Sequence, residues 1–391
     1  MSLAKISSLF YFGTFLSYVG NYTFIISLVA FMVRDGYSLV EASSIVGTAR
    51  FMPVLVGTFL GQLADKLSAR RTIIVCELIA STVSIALLWA WGIGKEGYLY
   101  FFALVVFRYI VTSFQSGSRA KITKYLGSSD YGSQSKQAIK FNSATEGATI
   151  LAAAFSWLSL KYLSFEAVIV FDMVTFILNG VIIWFLPVAD QRNDRASSVD
   201  ILKKFKDLYY HNPVAVFMHL GLALVIMGNS AFLSRLAGSD QSWFPIFASA
   251  YGIGTLLAGW LESKGTLHKF GTSLWLGLGI CFSVVGFIPE LGWITWSACL
   301  LKDIAFWVLY HRVTGYMQSD TPTEVYASVR HAFSAQFVAV VALGEILVGS
   351  WEPYVPIFAD GMIRGFVCLV IAIFSALVLS KRSAQDARPN L

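Results

Sequence analysis

Charge is what this sequence has least of. Asp, Glu, Lys and Arg make up 13% of its 391 residues, against roughly 25% in ordinary soluble domains. With 56% apolar residues, too little polar surface remains to clothe two or three soluble cores, and a soluble fold is excluded. Cysteine is nearly as scarce. Cys76, Cys281, Cys299 and Cys368 all fall inside apolar runs, which leaves no extramembrane pair for a disulfide or a zinc site. No Walker loop, His-Glu-x-x-His or Gly-x-Ser-x-Gly occurs, so ATP-driven transport and hydrolysis have no support. The chain is expected to be no enzyme and to need no cofactor or metal. A net charge of +6 comes without Lys/Arg tracts alternating with aromatics, so nucleic acid is not an expected partner.

What the sequence has instead is a succession of long apolar runs. A bilayer core takes about 20 mostly apolar residues per helix. Spans are read at about 6–32, 38–64, 72–92, 98–117, 141–160, 165–187, 214–236, 243–261, 272–289, 291–310, 330–350 and 361–380, with boundary errors of a few residues. The first run has no small-residue cleavage site and leads straight into another span, so it reads as a helix and not as a signal peptide. Pro289-Glu290 is a tight turn between spans 9 and 10, and Arg364 interrupts span 12 early.

With both termini in the cytoplasm, roughly twenty-one Lys/Arg lie inside and about five outside, which fixes the orientation. The longest polar stretch, Ala189 to Pro213, divides the spans six and six. Within it Val199 to Tyr210 has apolar residues near helical spacing around Lys203, Lys204 and Lys206, a short amphipathic helix on the inner membrane surface. The expected domains are residues 1–188, a cytoplasmic linker 189–213, and residues 214–391. Equal halves of this kind suggest two bundles with a site near the midplane.

The loop after span 2 reads Gly61-Gln-Leu-Ala-Asp65-Lys66-Leu-Ser-Ala-Arg70-Arg71. It resembles the signature loop of the major facilitator superfamily, departing at Ser68-Ala69, where the family usually has Gly-Arg. The resemblance implies an all-α membrane protein of about twelve transmembrane helices in two pseudo-symmetric six-helix bundles. It further implies alternating access driven by a gradient, most simply of protons. Gly61 permits close helix packing. Asp65 can face a positive helix N-terminus, and the basic residues hold the loop inside. Gly61, Asp65, Arg70, Arg71 and Glu77 are therefore the gating candidates. Phe171 to Asn179 and Tyr316 to Arg330 look like the enterobactin-exporter and macrolide-efflux branch. Against that branch, the Gly-Pro expected in span 5 is missing from Glu146-Gly-Ala-Thr, and Gly20-Asn21 stands where Gly-Asp is frequent.

Charges within spans are the remaining signal, because each costs roughly 2.5–3.5 kcal/mol at midplane on insertion scales unless it meets a cavity or a partner. The embedded set is Arg50, Glu77, Arg108, Glu146, Asp172, Lys302, Asp303 and Glu345. Arg108 resembles the span-4 arginine of proton-coupled members, without the Gln-Gly that follows it there. Lys302 stands at the corresponding place in span 10, so the two cations are expected to face one cavity and to suit an anionic substrate. The empty state would then need acids beside them, and Asp172 and Asp303 are the candidates. The alternatives are a permanent pair of Asp172 with Arg50 or Arg108, and partners elsewhere for Lys302 and Asp303, which point about 100° apart on a helix. Asn21 and Asn229 join Arg108 and Lys302 as substrate-binding candidates. Glu146, Asp172 and Asp303 are the proton-coupling ones, since a buried carboxyl can exchange a proton as a cavity opens and closes. Glu345 reads equally as a solvated cap near the outer end of span 11. His219 reads first as a packing residue, as do Tyr109, Phe306 and Trp307.

The expected function is proton-coupled export of a small amphipathic or anionic compound, such as a siderophore or drug, by a monomer in the bacterial inner membrane. Uptake or flipping of an organic acid, siderophore or lysophospholipid is the alternative within transport. A membrane sensor or scaffold that moves nothing is the alternative outside it.

Overall fold

A chain with this many apolar runs must satisfy its backbone polar groups internally, and helices do so within one segment. The computed structural model describes residues 3–126, 131–187, 206, 209–210, 213–263, 271–320, 326–351 and 354–386. Among them there is helix and no strand. In order come α1 (Leu3–Arg34), α2 (Leu39–Lys66), α3 (Ala69–Gly92), α4 (Tyr98–Leu126), α5 (Tyr131–Tyr162) and α6 (Phe165–Trp184). These are followed by α7 (Pro213–Ile226), α8 (Asn229–Ala237), α9 (Trp243–Ser263), α10 (Gly271–Phe287), α11 (Trp293–Asp320), α12 (Tyr326–Trp351) and α13 (Ile357–Asp386). Among the described residues eight stretches are long and apolar enough to cross a membrane by length and composition, and α10 and α12 contain shorter apolar helices. With α7 and α8 counted as one interrupted span, the helices make twelve spans.

The chain forms two compact units, Met1–Val199 with Asp240–Gly252, and Asp200–Ser239 with Ile253–Leu391. The first turns of α9 accordingly belong to the first unit, where Gly252 lies against Thr149 and Ile150 of α5.

The first unit is held at one end by an aromatic cluster. Phe165 at the start of α6 lies 5.6 Å from Phe24, 5.3 Å from Phe31 and 4.5 Å from Trp91, ring to ring. Its other end packs Ile6, Phe10, Ile73, Ile122 and Ile183. Apolar side chains such as Leu78, Ile85 and Trp89 on α3 remain exposed, as expected of a surface that meets lipid.

In the second unit α10 and α13 cross on small residues. A Cβ on Gly286 would lie 3.1 Å from Gly361 Cα, and one on Gly365 3.0 Å from the Gly279 carbonyl oxygen. Small residues at such crossings let dispersion act between backbones where no hydrophobic drive exists. The predicted turn at Pro289-Glu290 is present, and Glu290 takes a left-handed φ of 63°.

Several helices depart from the sequence expectation: the fifth span begins at Tyr131 instead of near residue 141, and the tenth continues to Asp320 instead of ending near residue 310. The fourth span continues to Leu126 instead of ending near residue 117. The seventh is broken at Met227-Gly228, where Gly228 has φ +62° and lies so close to α12 that a Cβ would meet Val348 at 2.4 Å. Only glycine fits both the backbone angle and the gap. The expected amphipathic linker helix falls almost wholly outside the described residues.

Candidate functional site

Asp172, Thr175 and Asn179 recur at i, i+3 and i+7 along α6 and so share one face. α1 approaches that face at its glycines. A Cβ on Gly20 would lie 1.9 Å from Thr175 Oγ1 and 3.1 Å from Asp172 Oδ1, and one on Gly13 would lie 2.4 Å from Asn179 Oδ1. From α4, Arg108 Nη2 donates to both oxygens of Asp172 at 2.8 Å. Both side chains are wholly buried. The guanidinium is flanked by Phe24 at 4.0 Å and Phe176 at 5.2 Å. Its Nε and Nη1 have no hydrogen-bond partner among the described residues. Removing one member of such a pair costs about 3–5 kcal/mol, because the other charge stays behind in low dielectric.

A second polar node lies on the same unit. Glu77 of α3 is buried, and its Oε1 accepts from Ser17 Oγ of α1 at 3.2 Å. It also accepts from Gln115 Nε2 at 2.6 Å and Arg119 Nη2 at 3.0 Å, both of α4, and from Asn179 Nδ2 of α6. Sequence reading placed Glu77 with the inner loop and missed Arg119, which lies past the expected end of span 4. The available signal was Gln115 and Arg119 four apart, one turn of a continuing helix.

The second unit spends its charges on the broken span. A helix end leaves four backbone groups without intrahelical partners and carries about half a charge. At the carbonyl end of α7, Arg364 Nη1 donates to the Val225 oxygen at 2.6 Å. At the amide end of α8, the Glu345 carboxylate accepts from Ser230 and Ala231 nitrogens at 3.3 and 3.4 Å. Glu345 is fully buried, so the solvated-cap reading is corrected: its solvent is the end of a helix. Asp360 accepts from Arg364 Nε at 2.8 Å and from Arg235 Nη1 at 3.0 Å. This ties the far end of α8 to α13.

Lys302 and Asp303 are buried neighbours on α11 and pair with each other at 2.9 Å. Lys302 Nζ also donates to Asn229 Oδ1, the first residue of α8, at 3.4 Å, and lies 5.1 Å from the Phe282 ring. Gly254 lets α9 press on this place, where a Cβ would be 2.8 Å from Asp303 Cβ.

The other expected residues are more scattered. Asn21 is half-buried, and its Oδ1 has no hydrogen-bond partner among the described residues. Arg50 is half-buried. Arg70 donates to the Trp184 carbonyl at the end of α6. Arg71 is exposed and lines, with Ser68, Val75 and Phe114, a groove between α3 and α4. His219 stacks on Phe337 at 4.7 Å, and Phe306 lies 5.6 Å from the Trp307 ring and 6.3 Å from that of Tyr310, in keeping with packing. The side chains of Gly61, Asp65 and Glu146 lie outside the described residues. No cluster of three metal-ligating side chains occurs among the described residues.

Residues 10–347 match the sequence profile of the Major Facilitator Superfamily. No curated protein matches the chain in sequence. Among solved structures it is similar to a mutant of the nucleoside transporter NupG, at 15% identity and a TM-score of 0.76, covering 94% of this chain and 98% of that one. It is similar to a bacterial homolog of the human lysosomal transporter Spinster in an inward-facing, unoccupied conformation, at 14% identity and a TM-score of 0.70, covering 100% and 99%. A peptide transporter POT in complex with sulfate gives 16% identity and a TM-score of 0.72, covering 96% and 94%. At these identities the likeness is one of fold.

Proposed function

Because the chain belongs to the Major Facilitator Superfamily, a family of membrane transporters of small molecules, we propose that it is a proton-coupled secondary transporter working by alternating access as a monomer in the bacterial inner membrane. Its first role on this reading is export of a small amphipathic compound. Asp172 and Asp303 are the groups that a proton and the substrate share, with Glu146 as a third carrier. Gly61, Asp65, Arg70 and Arg71, with Glu77 behind them, form the inner gate. Arg108, Lys302, Asn21 and Asn229 contact the substrate. The observation that carries the reading is that each midspan cation already has its own carboxylate, Arg108 with Asp172 and Lys302 with Asp303.

That pairing links substrate charge to direction. A cationic or hydrogen-bond-donating substrate that binds to the carboxylate competes with the proton there, and competition is what an antiporter needs for export. An anion that takes the cation leaves the carboxylate free to be protonated, so anion and proton travel together, inward. The second course is favoured by one observation, the Nε and Nη1 of Arg108, which have no hydrogen-bond partner among the described residues. Siderophores and organic acids would follow it, lipophilic drugs the first.

Proteoliposomes with an imposed proton gradient test the reading. Lipophilic cations such as tetraphenylphosphonium are expected to move against the gradient and to stop with an uncoupler. Transport of cations and of carboxylates that is indifferent to the gradient would contradict proton coupling.

A further inference from the structure

We propose that Glu77 is a proton-binding carboxyl, carrying its proton on Oε2 and sharing it with the amide oxygen of Asn179. The inference goes beyond the proton sites proposed above and stands without them.

An ionised carboxylate spreads its charge over both oxygens, so a site built for a permanent anion offers donors to both. At Glu77 four donors from three helices converge on Oε1. Oε2 is buried with no hydrogen-bond partner among the described residues, and so is Oδ1 of Asn179, whose Nδ2 is already bonded to Oε1. A carboxylic acid and a primary amide pair through two hydrogen bonds, amide N–H to acid carbonyl and acid O–H to amide oxygen. The first is in place, and Oε2 and Oδ1, both buried without a donor among the described residues, are the two atoms that the second would join. Two buried acceptors without a donor each carry a desolvation penalty, and one proton removes both. Gly13 brings α1 against Asn179 Oδ1, where even a Cβ would come within 2.4 Å.

The proton comes from solvent and forms one O–H bond, leaving the carboxyl neutral. The charged groups facing Glu77 are Arg119 from α4 and Asp172 from α6, while α1 presents Ser17. Protonation turns the Glu77–Arg119 pair into a single cation. Arg119 is prepared for that, since it also bonds Ser17 Oγ at 2.8 Å and lies 4.8 Å from the Tyr18 ring. A proton at Glu77 therefore changes the charge at the point where α1, α3, α4 and α6 meet.

Infrared difference spectra between acid and neutral pH, taken on the full chain in phospholipid vesicles, read this directly. A protonated-carboxyl C=O band is expected to appear on acidification, to be lost in Glu77→Gln, and to be displaced in Asn179→Leu, where the O–H loses its acceptor. Glu77→Asp keeps a carboxyl and should displace the band too, which preserves the test if the Gln variant does not fold. A band that survives intact in Glu77→Gln, or that stays unmoved in both Glu77→Asp and Asn179→Leu, overturns the proposal. No transported compound is involved, so transport indifferent to a proton gradient would count against the proposed coupling and leave this result untouched.

Discussion

The two units neutralise their corresponding cations in different ways. In the first, Arg108 reaches across from α4 to Asp172 of α6, 64 residues away in sequence. In the second, Lys302 is paired with the residue beside it on α11. The first arrangement is a structural tie, since separating the charges also separates two helices. Among the described residues the second ties no helices through its own carboxylate, and Lys302 reaches other helices at Asn229 of α8 and at the Phe282 ring of α10. The charges that do connect helices in the second unit, Glu345, Asp360, Arg235 and Arg364, are gathered around the interrupted span. One unit thus places its ionic strength in fixed crossings, and the other places it where a helix is broken.

Single and double neutral variants should separate the units. The largest effect belongs to Asp172→Asn, which leaves Arg108 buried without its counter-charge and should lower the unfolding free energy of the purified protein by about 3–5 kcal/mol. Thermal or denaturant melts in one detergent would measure it. A loss below about 1 kcal/mol would mean that the crossing is no tie. Glu345→Gln comes next. It removes the charge but not the acceptor at the start of α8, and a loss of about 0.5–2 kcal/mol is expected from capping energetics. Faster amide hydrogen exchange at Ser230 and Ala231, with α1 to α6 unchanged, is the signature to look for. The smallest effect is expected of Lys302→Gln with Asp303→Asn, under about 1 kcal/mol, because replacing both members of a buried pair is often close to neutral. Equal losses in that double variant and in Arg108→Gln with Asp172→Asn would erase the contrast between the units.

How much of this was legible in the sequence varied with the physics involved. Span number and helix class follow from apolar runs, because a bilayer leaves helices as one of its few solutions. Glu77, Arg108, Asp172, Lys302, Asp303 and Glu345 were all found as embedded charges. Asp172 and Asp303 were expected as the acids that an empty state would need beside the two cations, and that is where the structure places them. Which further groups surround them was not legible. Arg119 was overlooked because hydropathy falls off before the helix does. The break at Gly228 was missed since a glycine in an apolar run gives no sign of its φ; the sign lies in α12, at Gly344 and Val348, which receive it. Glu345 looked solvated for the same reason. Its partners are backbone amides, which no residue pattern displays.

The account rests on the claim that the carboxylates of the two midspan pairs are shared between proton and substrate. Proton release on binding tests this most directly. Purified protein in weakly buffered solution, titrated with tetraphenylphosphonium, is expected to release protons in an amount that rises as the pH is lowered. The release should shrink in Lys302→Gln with Asp303→Asn and again in Arg108→Gln with Asp172→Asn. Binding of the cation with no change in proton count at any pH, or with full release in both double variants, would contradict it.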